Sequence, residues 1–197
     1  MAIEKKKQLK KQRDSLIWAA AKLFRRQGYS GTGLRDILAA SGAARGSLYH
    51  YFPGGKEQIG AAAVTAAGGL VTETFVELAR QADGPADFLR RYTALLVGWL
   101  EASDFRDGCP ITTTLLETTP GSAAIGEAGR AVFADWQLVM ETMLAQDNWP
   151  AVQIAPMATA MIAGLEGALL LARVQGTAQP IHDTVGALCT LLEAKEV

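Results

Sequence analysis

The chain has 197 residues, of which 49% are hydrophobic, and its net charge at neutral pH is −1. This length suits one large domain or two small ones and needs no disulfide or metal to stabilise a core, and Cys109 and Cys189 stand too far apart in sequence to indicate a zinc site or a disulfide framework. Ala and Leu dominate and strand-like alternation of apolar residues is scarce, so the composition favours an all-α fold.

The beginning of the chain is basic and the rest is acidic. Residues 1–56 hold 12 Lys and Arg against 3 Asp and Glu, whereas residues 57–197 hold 7 against 17. A basic head on an acidic body indicates that the head meets a polyanion. The run EKKKQLKKQR at residues 4–13 could by itself be a solvated tail, but the excess persists without it. The same run argues against a signal peptide, so we expect a reducing cytoplasm.

The first two predicted helices form the start of this head. Apolar residues spaced by three and four place one face of a helix over residues 7–27 in a core, and Gly28 ends it. A short second helix begins at Thr32 or Gly33. Thr32 is the better N-cap because its hydroxyl can accept a hydrogen bond from a free amide of the first turn. The tetrapeptide SGAA at 41–44 then ends this helix.

The third predicted helix covers residues 44–52 and pairs with the second as a helix-turn-helix. Leu48 and Phe52 lie on the side that faces a core. In this motif the second helix of the pair enters the DNA major groove, where Arg can bond guanine and Tyr or His can bond phosphates. An ordinary amphipathic surface helix is the alternative interpretation. The outward side of the helix carries Arg45, Gly46, Tyr49 and His50, with Ser47 at the boundary.

Six further helices are predicted in an acidic, apolar body. They span residues 56–81, 86–103, 110–118, 122–147, 150–175 and 181–195. The longest apolar run without charge, residues 148–165, contains two prolines and is followed by Glu166, which favours a buried helix over contact with a membrane. The sequence therefore predicts nine helices, with a DNA-binding domain at 1–56 and a body at 57–197.

The stretch AAKLFRRQGYSGTGLRDILAASGAARGSLYHYFPGGKEQI at residues 20–59 carries a recognisable combination of motifs. It joins Ala-Ala-x-Leu-Phe to a Gly-Tyr turn, an Asp-Ile pair, the segment GSLYHYF and a Lys-Glu pair. Together these features resemble the DNA-binding head of TetR-family transcriptional regulators, over roughly residues 13–60. A chain of nine helices and about 200 residues is also similar to the usual build of this family.

The resemblance implies a role for each matching residue of the head. Tyr49 matches a phosphate-contacting tyrosine, and Lys56 matches a lysine that contacts the DNA backbone from the start of the fourth helix. Arg35 falls where the second helix reaches the groove, and Thr32 where its first turn meets a phosphate. The residues at the base-reading positions are Arg45, Gly46, Ser47 and His50.

Several residues depart from the family pattern. Ala44 stands where Ser is common, so the recognition helix lacks a side-chain cap, and Gly33 removes one possible phosphate contact. Tyr51 replaces a frequent His. The segment FPGGKE holds one more Gly than usual, which shifts Lys56. The doubled Gly and the segment GCPITTTLLE at 108–117 resemble the branch of the family that includes drug- and flavonoid-responsive repressors.

The resemblance implies that the body binds a small amphipathic or aromatic molecule. From the residues alone, the large apolar side chains in mid-helix either line such a pocket or simply fill a core. Glu166 interrupts an apolar helix, where a carboxylate is costly without a partner, so it meets a ligand, a partner subunit or water. Glu117 is a further candidate polar group. The candidate ligand-binding residues are Trp99, Phe105, Thr112, Leu116, Phe133, Trp136, Met140, Met161 and Glu166.

The resemblance also implies dimerisation through the last two helices. Residues 157–172 are rich in Ala, Gly and Leu, and with residues 183–194 they could form an isologous four-helix interface. Burial of both segments within one subunit is the alternative. A dimer would hold two recognition helices about one DNA turn, roughly 34 Å, apart, which predicts a palindromic operator in double-stranded DNA.

The expected function is a ligand-responsive regulator, most simply a repressor that a small molecule releases from its operator. We expect no cofactor, no metal and no catalysis, since the sequence contains no HExxH, GxSxG, P-loop or CxxC motif. A helical adaptor that binds another protein is the rival interpretation. Such an adaptor would bind DNA only non-specifically, with an affinity that falls steeply as salt rises.

Overall fold

The structure, a computed structural model, describes residues 2–194, with side chains from residue 10 onward. The predicted head starts at residue 1 and the predicted body ends at residue 197, and both of these ends lie outside the described residues. The side chains of the basic run before residue 10 also lie outside them. Over the described residues the fold is nine α-helices without a strand, which confirms the all-α prediction. The helices are α1 (Ala2–Gln27), α2 (Leu34–Ser41), α3 (Arg45–Tyr51), α4 (Gly55–Gln81), α5 (Pro85–Ala102), α6 (Pro110–Thr118), α7 (Ala123–Gln146), α8 (Ala151–Gln175) and α9 (Gln179–Glu193).

The chain folds into two compact units. The first contains the residues up to Gly69 together with Pro110–Val132, and the second contains Leu70–Cys109 and the residues from Phe133 onward. The first unit therefore holds α1, α2, α3 and α6. The second holds α5, α8 and α9. The long helices α4 and α7 contribute to both.

The three N-terminal helices pack around a core contributed mainly by α1. Leu16, Ala20 and Phe24 recur at the predicted spacing and are fully buried. Ile37 of α2 and Leu48 of α3 are buried in the same unit. Burying the leucine, isoleucine and phenylalanine side chains stabilises the fold by about 1.5–3 kcal/mol each. Because Ile37 and Leu48 are buried, the opposite sides of α2 and α3 face solvent.

The predicted N-cap of α2 is wrong. Gly33, not Thr32, is the N-cap, and its amide donates to the Asp36 carboxylate at 2.7 Å. The Thr32 hydroxyl instead donates to the Gly28 carbonyl oxygen at 2.7 Å, and its side chain is fully buried. Thr32 therefore closes the α1–α2 turn, while the carboxylate of Asp36 caps the helix by reaching back from its first turn.

We expect Asp36→Ala to lower the free energy of unfolding by about 1 kcal/mol, the usual cost of losing a helix cap. The substitution leaves the Gly33 amide without its acceptor and removes a negative charge from the first turn of α2. Urea denaturation followed by circular dichroism measures the change. Asp135→Ala, at an exposed position of α7, is the control and should change stability by less than about 0.5 kcal/mol. Equal stabilities for the two variants would contradict the cap.

Helices α4 and α7 pack tightly at Gly68 in the first unit. A Cβ atom at this position would lie 2.2 Å from one methyl of Val132 and 2.5 Å from the other. The neighbouring Gly69 has nothing within 4 Å of the corresponding position. Gly68 is therefore required by packing, because any side chain would overlap a buried valine, whereas Gly69 is not.

Two helices, α4 and α8, are long and apolar enough by composition to cross a membrane. Apolar core helices of soluble proteins meet the same criterion. Less than a third of the apolar stretch of α8 is buried, at 28%. The helix therefore presents an apolar face outside the core of its own unit, contrary to the sequence-based expectation of a buried helix.

Candidate nucleic-acid interface and ligand cavity

Helix α3 exposes the side chains that the sequence assigns to DNA. Leu48 and Phe52 are buried and anchor the helix, as predicted. The opposite side is open to solvent, and the Tyr49 side chain is 50% exposed. The Ala44 N-cap makes no side-chain hydrogen bond, which agrees with the expected loss of a cap. The solvent-exposed residues of the helix are Arg45, Gly46, Tyr49 and His50, and Ser47 is partly exposed.

The predicted phosphate contacts at the start of α2 differ in accessibility. Arg35 is exposed in the first turn of the helix. The Thr32 hydroxyl and amide are both used inside the turn, by the carbonyl oxygens of Gly28 and Tyr29. The structure therefore does not support a phosphate contact from the Thr32 side chain, because this group is buried and already has a partner.

Lys56 lies at the beginning of α4, beside the turn that follows α1. Its Nζ atom is 4.3 Å from the centre of the Tyr29 ring, a cation–π contact. Partial burial lowers the pKa of Lys56, and the nearby carboxylates of Glu117 and Asp36 offset part of this effect. Its ammonium group is thus held against the α1–α2 turn instead of extending freely into solvent.

Two contacts of the first unit were missed by the sequence analysis. The guanidinium carbon of Arg13 lies 5.5 Å from the centre of the Phe52 ring, which brings the basic part of α1 to the end of α3. Glu57 of α4 accepts a hydrogen bond from the Ser122 hydroxyl, just before α7. Both are long-range contacts, and nothing in the local sequence pattern indicates them.

Glu117 occupies a different place from the predicted one. It is on α6, which packs against α1, and its two carboxylate oxygens accept the amides of Tyr29 at 3.0 Å and Ser30 at 2.6 Å. Glu117 is exposed; its limited desolvation alone would raise its pKa, but the bonds from Ser30 and Tyr29 and the charge of Lys56 lower it overall. Glu117 is therefore an ionised group of the first unit, bonded to the α1–α2 turn.

A small cavity opens in the second unit. Its volume is about 10 Å³, room for about one water molecule and far below the roughly 300–1,000 Å³ that is usual for ligand pockets. Two of the predicted ligand residues, Trp136 and Glu166, line it. The complete lining is Phe75, Tyr92, Trp136, Ile162, Leu165 and Glu166.

Half of the residues that line the cavity are aromatic. The Phe75 ring centre lies 4.8 Å from that of Tyr92 and 5.6 Å from that of Trp136. Burial, followed by the charges of Glu166 and Cys109, strongly raises the pKa of Tyr92, so its phenol remains neutral. Phe75 and Tyr92 were not predicted as ligand residues, although both are aromatic side chains in mid-helix, the pattern used to select the others.

The remaining predicted ligand residues do not line this cavity. Met140 and Met161 are fully buried in the core of the second unit, whereas Trp99 is 49% exposed. Phe133 packs edge-on against Trp136 at 5.3 Å, and Phe105 is partly exposed. Thr112 and Leu116 are on α6, in the first unit. Mid-helix position alone did not distinguish a cavity wall from a core or from an exposed surface.

The described side chains provide no cluster of three or more His, Cys, Asp and Glu residues that could hold a metal ion. Cys109 is partly exposed and Cys189 is buried, and neither forms a disulfide. The Cys189 thiol is within 3.5 Å of the Ala86 carbonyl oxygen, and burial raises its pKa. Cys189 therefore has the environment of an inert core thiol.

Comparison with protein families identifies two matching segments. Residues 16–64 match the family described as bacterial regulatory proteins, tetR family. Residues 85–186 match the family described as transcriptional regulator LmrA/YxaF-like, C-terminal domain. Together the segments include the helix-turn-helix, all of the cavity-lining residues except Phe75, the whole of α8 and the first half of α9.

Individual proteins resemble the chain over nearly its whole length. The HTH-type transcriptional regulator LmrA of Bacillus subtilis is 30% identical over 92% of this chain and 96% of its own. An uncharacterised HTH-type transcriptional regulator of Mycobacterium tuberculosis is 33% identical over 93% and 95%. A TetR transcriptional regulator from Chloroflexus aurantiacus superposes with a TM-score of 0.81 at 29% identity, covering 96% of this chain and 98% of that one.

These matches agree with the geometry of the first unit, in which a short helix presents Arg, Tyr and His side chains to solvent. They also name transcriptional regulators and no enzyme. The chain belongs to the TetR family of DNA-binding transcriptional regulators, with a C-terminal domain of the LmrA/YxaF-like type.

Proposed function

We propose that this regulator is a cytoplasmic, homodimeric repressor that a small aromatic or amphipathic molecule releases from a palindromic operator. The observation that carries the proposal is the aromatic cavity, whose wall includes residues of α4 and α7. Both helices also contribute to the unit that contains the helix-turn-helix. Helix α4 bears the DNA-facing candidate Lys56 in its first turn and the cavity residue Phe75 further along.

The lining of the cavity supports an aromatic or amphipathic ligand. Phe75, Tyr92 and Trp136 supply apolar ring surface, and Glu166 supplies a charged acceptor at the same place. A drug-sized molecule needs more space than the cavity offers, so its entry would favour a conformation with the walls further apart. Such a ligand shifts the equilibrium only by its preference for that conformation. Coupling to operator binding follows if that conformation holds the recognition helices at the wrong spacing.

The exposed face of α8 and α9 supports a homodimer. Leu170, Leu171 and Val174 of α8 and Leu191 of α9 are large apolar side chains open to solvent. The two helices pack against each other, and a Cβ at Gly164 would lie 3.2 Å from Leu188. Several large apolar side chains exposed on one pair of packed helices are what an interaction site would cover. A second copy of the same pair of helices would cover it as a four-helix interface.

Repression is the direction of regulation that one named relative supports. The HTH-type transcriptional repressor DhaR of Mycobacterium sp. strain GP1 is 25% identical over 87% of this chain. In a dimeric repressor, we assign base contacts to Arg45, Gly46, Ser47 and His50. Phosphate contacts fall to Arg35, Tyr49 and Lys56, and to the backbone near Thr32.

The test of the ligand proposal blocks the cavity. We expect Ile162→Trp to fill it, because Ile162 lines the wall and an indole is much larger than a butyl group. Aromatic and amphipathic compounds are screened for release of the wild-type protein from operator DNA by fluorescence anisotropy. The variant should then stay bound to the operator at compound concentrations that release the wild type.

The control for this experiment is Leu138→Trp, which adds an indole at an exposed position of α7. This variant should be released like the wild type. Release of Ile162→Trp at the same concentrations would show that the compound does not use this cavity. Size-exclusion chromatography with light scattering tests the dimer separately, and a mass of one chain at operator-binding concentrations would contradict it.

A further inference from the structure

We propose that Glu117 is a positioning residue for DNA binding, which holds the α1–α2 turn from α6 and thereby sets the start of α2 and the place of Lys56. The residue is far from α2 in sequence but bonded directly to the turn before it. It touches none of the assigned base-reading side chains, so it would act through the turn.

The hydrogen bonds of the turn show why a carboxylate is needed there. The amides of Gly28 and Thr32 find backbone carbonyl acceptors, and the Gly33 amide finds Asp36. The amides of Tyr29 and Ser30 point instead to Glu117. Without this carboxylate, two adjacent donors of the turn lose their acceptor within the protein. The conformation that presents α2 then loses two charge-assisted bonds.

The fit around Gly28 shows that the carboxylate lies directly against the turn. Gly28 has φ of +82°, and a Cβ atom built on it would lie 2.3 Å from Glu117 Oε1. Gly28 therefore meets two requirements at once, the left-handed conformation that ends α1 and room for the carboxylate. The sequence pattern indicates only the first requirement.

Lys56, a proposed phosphate-binding residue, lies beside the contact between Glu117 and the α1–α2 turn. Its ammonium group lies over the ring of Tyr29, whose amide donates to Glu117. The charge of Glu117 also favours the protonated form of Lys56, against the effect of burial on its pKa. A change in Glu117 therefore alters both the position of the turn and the ammonium group proposed to bind phosphate.

The sign of the effect on DNA affinity separates this role from plain electrostatics. An anionic side chain in a DNA-binding unit repels phosphates, so its neutralisation should strengthen binding if charge is all that matters. Neutralising a positioning residue should weaken binding, because the turn is no longer held. The lowered pKa of Glu117 keeps it ionised near neutral pH, where the comparison is made.

The experiment compares Glu117→Gln with Glu127→Gln, an exposed carboxylate of α7 in the same unit. Both variants lose one negative charge. Binding to a duplex selected by the wild-type protein is measured by anisotropy at near-physiological salt, after circular dichroism has shown that each variant is folded. We expect Glu117→Gln to bind about tenfold more weakly and Glu127→Gln to bind as the wild type or slightly more tightly. Wild-type or tighter binding by Glu117→Gln would overturn the proposal.

A second readout reports the contact itself. Amide protons bonded to a carboxylate resonate downfield, so the ¹⁵N-correlated signals of Tyr29 and Ser30 should move upfield in Glu117→Gln and stay in place in Glu127→Gln. Unchanged signals in Glu117→Gln would refute the proposed contact. Both readouts use the protein without an inducing molecule, so failure of the ligand proposal does not affect this inference.

Discussion

Arg45→Ala is expected to weaken specific operator binding by at least about 30-fold in the dimer. Arg45 is the first residue of α3 and is exposed, and the first residues of a recognition helix contact base edges. A bidentate arginine–guanine contact contributes about 1–3 kcal/mol, and a dimer loses one such contact in each half-site. Anisotropy titration with the wild-type operator at constant salt measures the loss.

The character of the loss identifies a base contact. The Arg45→Ala variant should bind operators with any base at one position of each half-site. The Lys56→Gln variant should bind all DNA sequences more weakly by the same factor, and its binding should depend less on salt. Arg80→Ala removes the same charge at an exposed position near the end of α4 and is the control. A half-site preference that is unchanged in Arg45→Ala would exclude base recognition by this residue.

Gly68→Ala is expected to destabilise the protein by about 1–3 kcal/mol or more, the range found when atoms are forced into a packed core. The added methyl would lie 2.2 Å from a Val132 methyl, far inside contact distance. Gly69→Ala adds the same methyl with nothing within 4 Å, and should stabilise the helix by about 0.5–1 kcal/mol. Urea denaturation of the three proteins gives both differences.

A second substitution tests the cause of this loss. Val132→Ala in the Gly68→Ala background removes the two methyl groups that overlap most and leaves only the Cβ atom of residue 132, at 2.9 Å. We expect the double variant to regain stability relative to Gly68→Ala, although Val132→Ala alone destabilises by leaving a small cavity. If Gly68→Ala proved as stable as Gly69→Ala, the close approach of α4 and α7 would be wrong.

The helices themselves could be predicted from the sequence because their ends are marked by residues with strong backbone preferences. Pro110 begins α6 at the predicted residue, and Pro150 and Gly176 flank α8 within one residue of prediction. The start of α1 was placed at residue 7, whereas the helix begins at Ala2. A continuous charged segment provides no apolar periodicity that could show where such a helix begins.

The contacts of the α1–α2 turn could not be predicted because they depend on distant residues. Thr32 and Gly33 are both acceptable N-caps, and the Thr32 hydroxyl was placed wrongly because the Gly28 carbonyl competes for it. The sequence makes Glu117 a candidate polar group of the pocket, because a ligand pocket combines apolar walls with a few polar groups. Its true partners are 87 and 88 residues away, beyond any local pattern.

Only part of the cavity lining could be predicted, because the lining also depends on contacts between distant residues. Trp136 and Glu166 line it, whereas Met140 and Met161 fill the core and Trp99 is half exposed. All four apolar residues are large and lie in mid-helix. Which of them borders empty space depends on how the helices of the second unit pack, and helix periodicity does not contain that information.

The most direct test is a selection of bound sequences from a random duplex library at near-physiological salt, with the wild-type protein and Tyr49→Ala in parallel. We expect the wild type to recover a palindrome whose half-sites lie about one helical turn apart, and Tyr49→Ala to recover it weakly or not at all, since the exposed phenol would lose its phosphate contact. Recovery of no enriched sequence by the wild type would contradict sequence-specific operator binding and would favour a helical adaptor instead.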